Sequence, residues 1–349
     1  MNDIWQYLKT SDRPVVMYGM GNGADKILAR CAEKGIVVSD FFASDSFVRG
    51  HSFHGKRVLT LGEVEEKYGD FTVLLSFGTS LPDVLEAIRK VEEKHELFAP
   101  DVPVAGGGTF DAEFFAAHEK EINSARELFC DERSKETYDN IIKYKLTGRL
   151  EYLRKAEVEE RDADGLLRGG YRTAVDAGAY NGDTAKKYLS LYPTLERIYT
   201  LEPDPKTYKK LLAYAESEPR VTPVNAAAYS FDGDLTLDAS ANRNANVYSP
   251  LRGGKTADVK CARIDSLTDG KIDFIKYDVE GAERDALLGT ERTIKEYSPD
   301  LIVSAYHRNE DIFALPALIK SLRQDYDLYL RKLPGVPAWD VNVYAVRRG

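Results

Sequence analysis

The run VDAGAYNGDT, residues 175–184, sets one aspartate on each side of a glycine turn: Asp176 before Gly178, and Asp183 after Gly182. More acids follow other apolar runs. Glu202 follows 198–201, Asp278 follows 273–277 with Glu280 and Glu283 just beyond, and His307 follows 301–306. Each apolar run reads as a strand, and in open parallel sheets ligands bind outside the carboxyl ends of the strands. Acids at three such ends, beside a glycine turn, describe one site. Gly178 and Gly182 let the backbone approach a ligand closely, and a helix starts at Asp183 and Thr184. Glu202 lies about one β-α-β step after the turn, a spacing that suits hydrogen bonds to ribose hydroxyls.

Charge separates the ribose-bearing cofactors that fit so far. A dinucleotide places an anionic pyrophosphate over the turn, where Asp176 and Asp183 repel it. S-adenosylmethionine brings an ammonium and a sulfonium, which carboxylates attract. The plainer role of Asp183 is to cap its helix, and it can do both. His307 shares the crevice with Asp278 and has two readings. It accepts a hydroxyl proton near neutral pH, or it bonds backbone and only shapes the pocket. Asp278, Glu280, Glu283 and His307 form an oxygen-rich group, but acids in a first helical turn also favour the helix dipole, so no metal is expected. Asn242, Arg243, Asn244 and Asn246 make a polar loop that closes over substrate or is simply solvated. Arg331 and Trp339 line an acceptor pocket or sit at the rim of the sheet. Near the start, GMGNGA at residues 19–24 is similar to the GxGxxG/A dinucleotide turn, with Asp40 or Asp45 at the ribose-acid spacing. The alternative is a tight strand-to-helix connection.

The elements that position these residues come in two alternating blocks. With 349 residues, two domains are expected. Strands at 15–18, 37–43 and 72–77, with helices at 24–34 and 81–94, give a β-α-β pattern and a parallel sheet. A Pro/Gly-rich break at 100–108 leads into a charged helical stretch over 111–145. Beyond it strands fall at 173–175, 198–201, 221–227, 273–277 and 301–305, with helices at 183–191, 207–215, 282–295 and 312–322. Two closing strands, 326–330 and 341–346, suit a doubly wound sheet whose last strand inserts antiparallel. The expected division is 1–105, an N-terminal Rossmann-like domain; 106–170, a helical connector; and 171–349, the domain with the acids.

A net charge of -9 argues against a nucleic-acid partner, because phosphate binding needs a basic footprint. Three widely spaced cysteines exclude a disulfide framework and a zinc knuckle. The first ten residues lack the pattern of a signal peptide, and no apolar run approaches the roughly 20 residues of a spanning helix. A cytoplasmic protein without membrane association is expected. Oligomeric state stays open, homo-oligomers included.

Residues 174–346 resemble the FkbM family of S-adenosylmethionine-dependent methyltransferases. The resemblance rests on VDAGAYNGDT, on LEPDPKTYKKL at 201–211, on VNAAAY at 224–229, and most specifically on IDFIKYDVEGAERDALLGTERTI at 272–294. It implies a class I methyltransferase fold for this half, which with the N-terminal β-α-β block gives an α/β fold of two Rossmann-like doubly wound domains joined by a helical connector. It implies O-methyl transfer, often to sugars or natural products, with a small-molecule or saccharide acceptor. Carried onto this chain, Asp176, Gly178 and Gly182 line the methionine part of S-adenosyl-L-methionine, Glu202 holds the ribose, and Asn225 and Ala226 flank the adenine. Ala179, Asn181, Asp183 and Thr184 of the turn, and Pro203 beside Glu202, complete the cofactor contacts. Asp278 sits near the transferring methyl. His307 is added as its catalytic companion from its strand-end position, since the run 306–311 is less general in the family. The competing functions are an NAD-dependent oxidoreductase or epimerase working through the N-terminal turn, and a non-catalytic nucleotide-sensing scaffold. The first is weakened by the lack of a clear Tyr-x-x-x-Lys pair in the N-terminal half.

Overall fold

The structure, a computed structural model, describes residues 3–44, 48, 50–238 and 256–347. The polar loop with Asn242, Arg243, Asn244 and Asn246, and also Asp45, lie outside the described residues.

The first block builds a parallel sheet from β1 (Val15–Tyr18), β2 (Val38–Phe42), β5 (Thr72–Leu75) and β6 (Glu96–Phe98), in the order β2-β1-β5-β6. A small hairpin, β3 (Ser52–Phe53) with β4 (Lys56–Arg57), sits between β2 and β5 in the chain. Alternation sorts the side chains of β1. Val16 and Tyr18 join a large core, whereas Val15 and Met17 face a second cluster with Ile4, Trp5 and Ile27. Every residue of β1 and β5 is buried, as a central strand covered on both faces requires.

The second block forms a seven-stranded sheet, β15-β16-β14-β13-β7-β8-β9. Its strands are β7 (Thr173–Ala177), β8 (Arg197–Leu201), β9 (Val221–Val224), β13 (Phe274–Tyr277), β14 (Asp300–Ser304), β15 (Asp327–Lys332) and β16 (Val341–Val346). All pairings are parallel except those of β16, which inserts antiparallel between β14 and β15. That is the closing arrangement expected from the sequence. A separate three-stranded sheet joins β10 (Ala227–Ala228), β11 (Gly233–Asp238) and β12 (Thr256–Ala262), the last two in stretches to which the sequence reading assigns no element. The helix expected over 282–295 is two helices, Glu283–Leu288 and Glu291–Tyr297. Between them a Cβ at Gly289 would lie 1.9 Å from the carbonyl oxygen of Tyr229, so the chain needs a glycine there.

The connector is helical, with helices at Ala112–Ala117, Glu119–Arg126, Glu132–Thr147 and Leu150–Ala156. It also covers the edge of β15, through bridges Phe129 to Leu328 and Glu157 to Lys332. Arg331 is spent on this junction. It is buried, reaches Asp131 Oδ2 at 2.6 Å and donates to Ser134 Oγ at 2.7 Å, so it does not line an acceptor pocket. One contiguous core cluster contains Val16 and Val73 of the first sheet, Tyr138 and Leu153 of the connector, and Val175 and Val303 of the second sheet. Among the described residues no helix is long and apolar enough to cross a membrane.

Candidate active site

The glycine turn is built by backbone bonds to the next strand. Gly178 and Ala179 donate to the Leu201 carbonyl at 3.0 and 2.9 Å, and Gly182 donates back to Ala179 at 2.8 Å. Three turn residues have left-handed backbone: Gly178 (φ 85), Tyr180 (φ 48) and Gly182 (φ 90). Gly182 is doubly required, because a Cβ there would also meet the Tyr214 ring at 2.6 Å. Asn181 Oδ1 accepts from the Asp183 N–H at 3.2 Å, and Asp183 Oδ1 accepts from the Thr184 N–H at 2.8 Å. Asp183 therefore serves the first turn of the helix Asp183–Leu191, and its carboxylate stays at the surface.

Glu202 stands at the carboxyl end of β8, facing this turn. Oε2 accepts from the Tyr180 N–H at 3.1 Å and Oε1 from the Asp204 N–H at 2.8 Å. Burial pushes the Glu202 carboxyl up to about 7, against the pull of those two N–H groups. Asn225 donates to the carbonyls of Glu202 and Pro203 at 2.8 and 3.3 Å, which ties the next strand end to the same rim, with Ala226 buried beneath.

Asp176 lies deeper than a cofactor-lining residue expected at the turn. It is fully buried, neither oxygen has a hydrogen-bond partner, and burial pushes it up to about 6. Its nearest cation is Lys276, directly opposite it in register, with Nζ 3.8 Å from Oδ1. Lys276 also reaches Asp278 Oδ2 at 3.3 Å. Burial alone would lower the Lys276 pKa, but Asp278 and Asp176 raise it, so it stays charged. Sequence reasoning missed Lys276. Its signal was a lysine inside the apolar strand FIKY, two residues from Asp278 and hence on the same face.

His307 is almost completely buried and is surrounded by acids. Nδ1 lies 2.9 Å from Glu283 Oε1, and Nε2 lies 3.5 Å from Asp278 Oδ1 and 3.9 Å from Glu280 Oε2. Burial alone would lower the histidine, but Glu283, Asp278 and Glu280 push it up to about 9. With its pKa raised to about 9, the histidine expected to accept a proton favours its charged form at neutral pH, which weighs against that role. Two members of the group reach solvent, Asp278 with 28% and Glu280 with 46% of the side chain exposed, whereas Glu283 and His307 are buried. Burial would raise it, yet Lys276, His307 and the Tyr306 hydroxyl, 3.2 Å from Oδ1, hold it below the usual carboxylate range. One ligand atom each from Asp278, Glu283 and His307 falls within 4.8 Å of the others, which is metal-site spacing. The acids, however, approach opposite nitrogens of one ring, which is how an imidazolium is held.

The end of the first block covers this centre. The Ala105 N–H donates to the His307 carbonyl at 2.9 Å, and Asn309 Nδ2 to the Gly107 carbonyl at 3.2 Å. Arg308 Nε donates to the Gly281 carbonyl at 2.7 Å, and Lys26 Nζ to the carbonyls of Pro103 and Val104 at 3.2 and 3.0 Å. The N-terminal glycine turn has a packing explanation at two positions. A Cβ at Gly19 would meet the Phe77 ring at 2.6 Å, and one at Gly23 the Ser76 carbonyl oxygen at 2.2 Å. Asp40 is buried against Lys67 and Tyr68 and is not free to hold a ribose.

Residues 176–332 match the family model described as the methyltransferase FkbM domain. Among solved structures, the methyltransferase FkbM from Methylobacillus flagellatus KT is similar to this chain with a TM-score of 0.73 at 21% identity, covering 95% of this chain and 90% of that one. The likeness shows a shared fold. A putative rRNA methylase from Clostridium thermocellum (TM-score 0.37, 11% identity) covers 54% of this chain and 96% of its own. A putative methyltransferase from Streptococcus mutans in complex with SAH (TM-score 0.36, 13% identity) covers 53% and 95%. No curated protein sequence matches the chain.

Proposed function

We propose, from the match of residues 176–332 to the methyltransferase FkbM domain model, that the protein methylates a hydroxyl of a saccharide or related small metabolite, with S-adenosylmethionine as donor. The observation that carries the donor assignment is Glu202, whose two oxygens are fixed by backbone N–H groups beside a left-handed glycine turn. That carboxylate keeps acceptor capacity for two vicinal hydroxyls, the signature of a ribose. Asp176 adds a buried carboxylate without hydrogen-bond partners, whose negative potential favours a cation above the turn.

In this reading the turn at 178–184 and Glu202 hold the cofactor, and Asn225 and Ala226 border its base. When bound, S-adenosylmethionine supplies an electrophilic methyl group on a sulfonium. Asp278 receives the acceptor hydroxyl, orients it and accepts its proton. A weak base suffices, because a hydroxyl becomes strongly acidic only as its new bond forms. His307 stands behind Asp278 as a positioning cation, and Lys276 supports it from the strand. Fixing the hydroxyl in line supplies much of the acceleration.

Calorimetric titration with S-adenosylmethionine, its demethylated product and NAD tests the assignment, followed by transfer of labelled methyl to a panel of saccharides and hydroxylated metabolites. Binding of the first two but not NAD is expected. Binding of NAD alone would sink the proposal.

A further inference from the structure

The two sheets meet at a second feature that the cofactor site leaves unused. Trp339 follows the turn between β15 and β16 and lies flat on Gly78, just past the end of β5. A Cβ at residue 78 would sit 2.2 Å from Cζ3 of the indole, so only glycine admits the ring. The remaining ring surface is open, with Trp339 43% exposed. A cleft of about 340 Å³ runs beside it, lined by Thr79, Ser80, Leu81, Pro337 and Asp340 among others. Asp340 is close enough to Asp278 and Lys276 to interact with both electrostatically, so one wall of the cleft lies near the group assigned to the acceptor hydroxyl.

The walls of this cleft are held in place before any ligand arrives. Thr79 and Val336 exchange backbone bonds of 2.7 and 2.9 Å across the two blocks. The buried Lys332 ammonium donates to the carbonyls of Leu333 and Gly335, and the Gly335 N–H donates to Glu157 Oε1 at 3.0 Å. A rigid aromatic surface costs little entropy on binding.

A ligand for this cleft must offer an apolar face to the indole and hydroxyl hydrogens to a carboxylate. A pyranose ring does both, because its axial C–H groups carry partial positive charge toward the negative ring face while its equatorial hydroxyls point outward. A nucleotide would also stack, but it brings phosphates, and among the described residues no Lys or Arg lines the cleft. Volume agrees, since small-ligand sites start at about 300 Å³.

We propose that this cleft is a saccharide subsite, in which Trp339 stacks on a sugar ring and Asp340 accepts hydrogens from its hydroxyls. The proposal rests on the reading that the chain methylates a hydroxyl. It adds that the first sheet, through Gly78 to Leu81, forms half of the acceptor site. The chain has two tryptophans, and Trp5 is buried, so acrylamide quenching reports on Trp339. The probes are methyl α-glucopyranoside, methyl α-mannopyranoside, methyl α-rhamnopyranoside and maltose, with adenosine monophosphate as the contrasting ligand. At least one glycoside should protect Trp339, by about half at a concentration near its Kd. In calorimetry Trp339→Ala should weaken that glycoside about tenfold or more, Trp339→Phe should restore most of the loss, and both should bind S-adenosylmethionine like the parent. Asp340→Asn, which preserves the packing of Trp339 on Gly78, should weaken the glycoside as well. Protection by adenosine monophosphate instead, no protection by any glycoside, or equal glycoside affinity in Trp339→Ala would overturn the subsite. Loss of S-adenosylmethionine binding in the parent protein would be a separate failure, that of the methyltransferase reading itself.

Discussion

Glu202 makes cofactor affinity depend on pH. In the free protein, burial holds its carboxyl up to about 7 instead of the usual 4.5. Ribose hydroxyls donate hydrogens, so they bind the ionised carboxylate and not the acid. About one site in ten is ionised at pH 6 and about nine in ten at pH 8, so the apparent Kd should rise about tenfold as pH falls between those values. At pH 7 binding should also expel about half a proton, which calorimetry detects as a dependence on the ionisation enthalpy of the buffer. Glu202→Gln keeps the shape and an acceptor oxygen but cannot titrate. Its profile between pH 7 and 8 should be flat, and its affinity at pH 8 should be weaker by roughly ten- to a hundredfold, the worth of a charged hydrogen bond. Asp176, held up to about 6, leaves a residual fall only at lower pH. Equal affinity at pH 6 and 8 in the parent, or a retained slope above pH 7 in Glu202→Gln, would remove Glu202 from the cofactor site.

Four further outcomes are expected. His307 sits at about 9 in the folded chain and about 6.5 when unfolded, so its contribution of about 3 kcal/mol is complete below 6.5 and is lost as pH rises through 9; the melting temperature of the parent should fall toward alkaline pH more steeply than that of His307→Gln. Lys276→Met strips the buried Asp176 of its nearest cation and should cost about 3–5 kcal/mol in urea denaturation, whereas an unchanged midpoint would mean that Asp176 is already protonated. Gly182→Ala should destabilise by about 1–3 kcal/mol, because left-handed backbone adds to a clash with Tyr214. Gly21→Ala meets no side chain, but φ 94 and ψ -159 are backbone that glycine alone adopts readily, so it should cost about 1–3 kcal/mol and leave methyl transfer intact; an NAD-induced rise in melting temperature that this variant abolishes would contradict that.

The residues visible in the sequence are those whose role is set by their own strand or turn. The turn at 178–184 and the strand-end position of Glu202 follow from periodicity and glycine placement, whereas the antiparallel insertion of β16 is expected only by analogy with doubly wound sheets. Partners brought from elsewhere in the chain were invisible. Arg331 reads as a rim residue until Asp131 and Ser134, about 200 positions earlier, bury it. Asp40 has the spacing of a ribose acid, yet Lys67 and Tyr68 consume it. His307 is the instructive case. Its strand-end position was legible, but its protonation is a sum over three carboxylates, and position alone does not give the sign of that sum. The spacing of 278, 280 and 283 held the clue, since a turn followed by the first turn of a helix gathers all three at one strand end.

The same geometry bears on why the chain carries a first sheet at all. Its glycine turn is filled by Ser76 and Phe77, and its candidate ribose acid is neutralised by Lys67. What it does present to the second sheet is Gly78 under Trp339, the Thr79–Val336 pair, and the 103–108 segment whose Ala105 bonds His307. In the proposed reading these contacts fall on the acceptor side of the centre, and none of them involves Glu202. A substitution such as Gly78→Ala would force the indole off its seat without approaching the turn at 178–184. It should therefore raise the KM for acceptor while leaving S-adenosylmethionine affinity in place. A loss of cofactor affinity equal to the loss of acceptor affinity would mean instead that the two sheets act as one rigid support, with no division of labour between them.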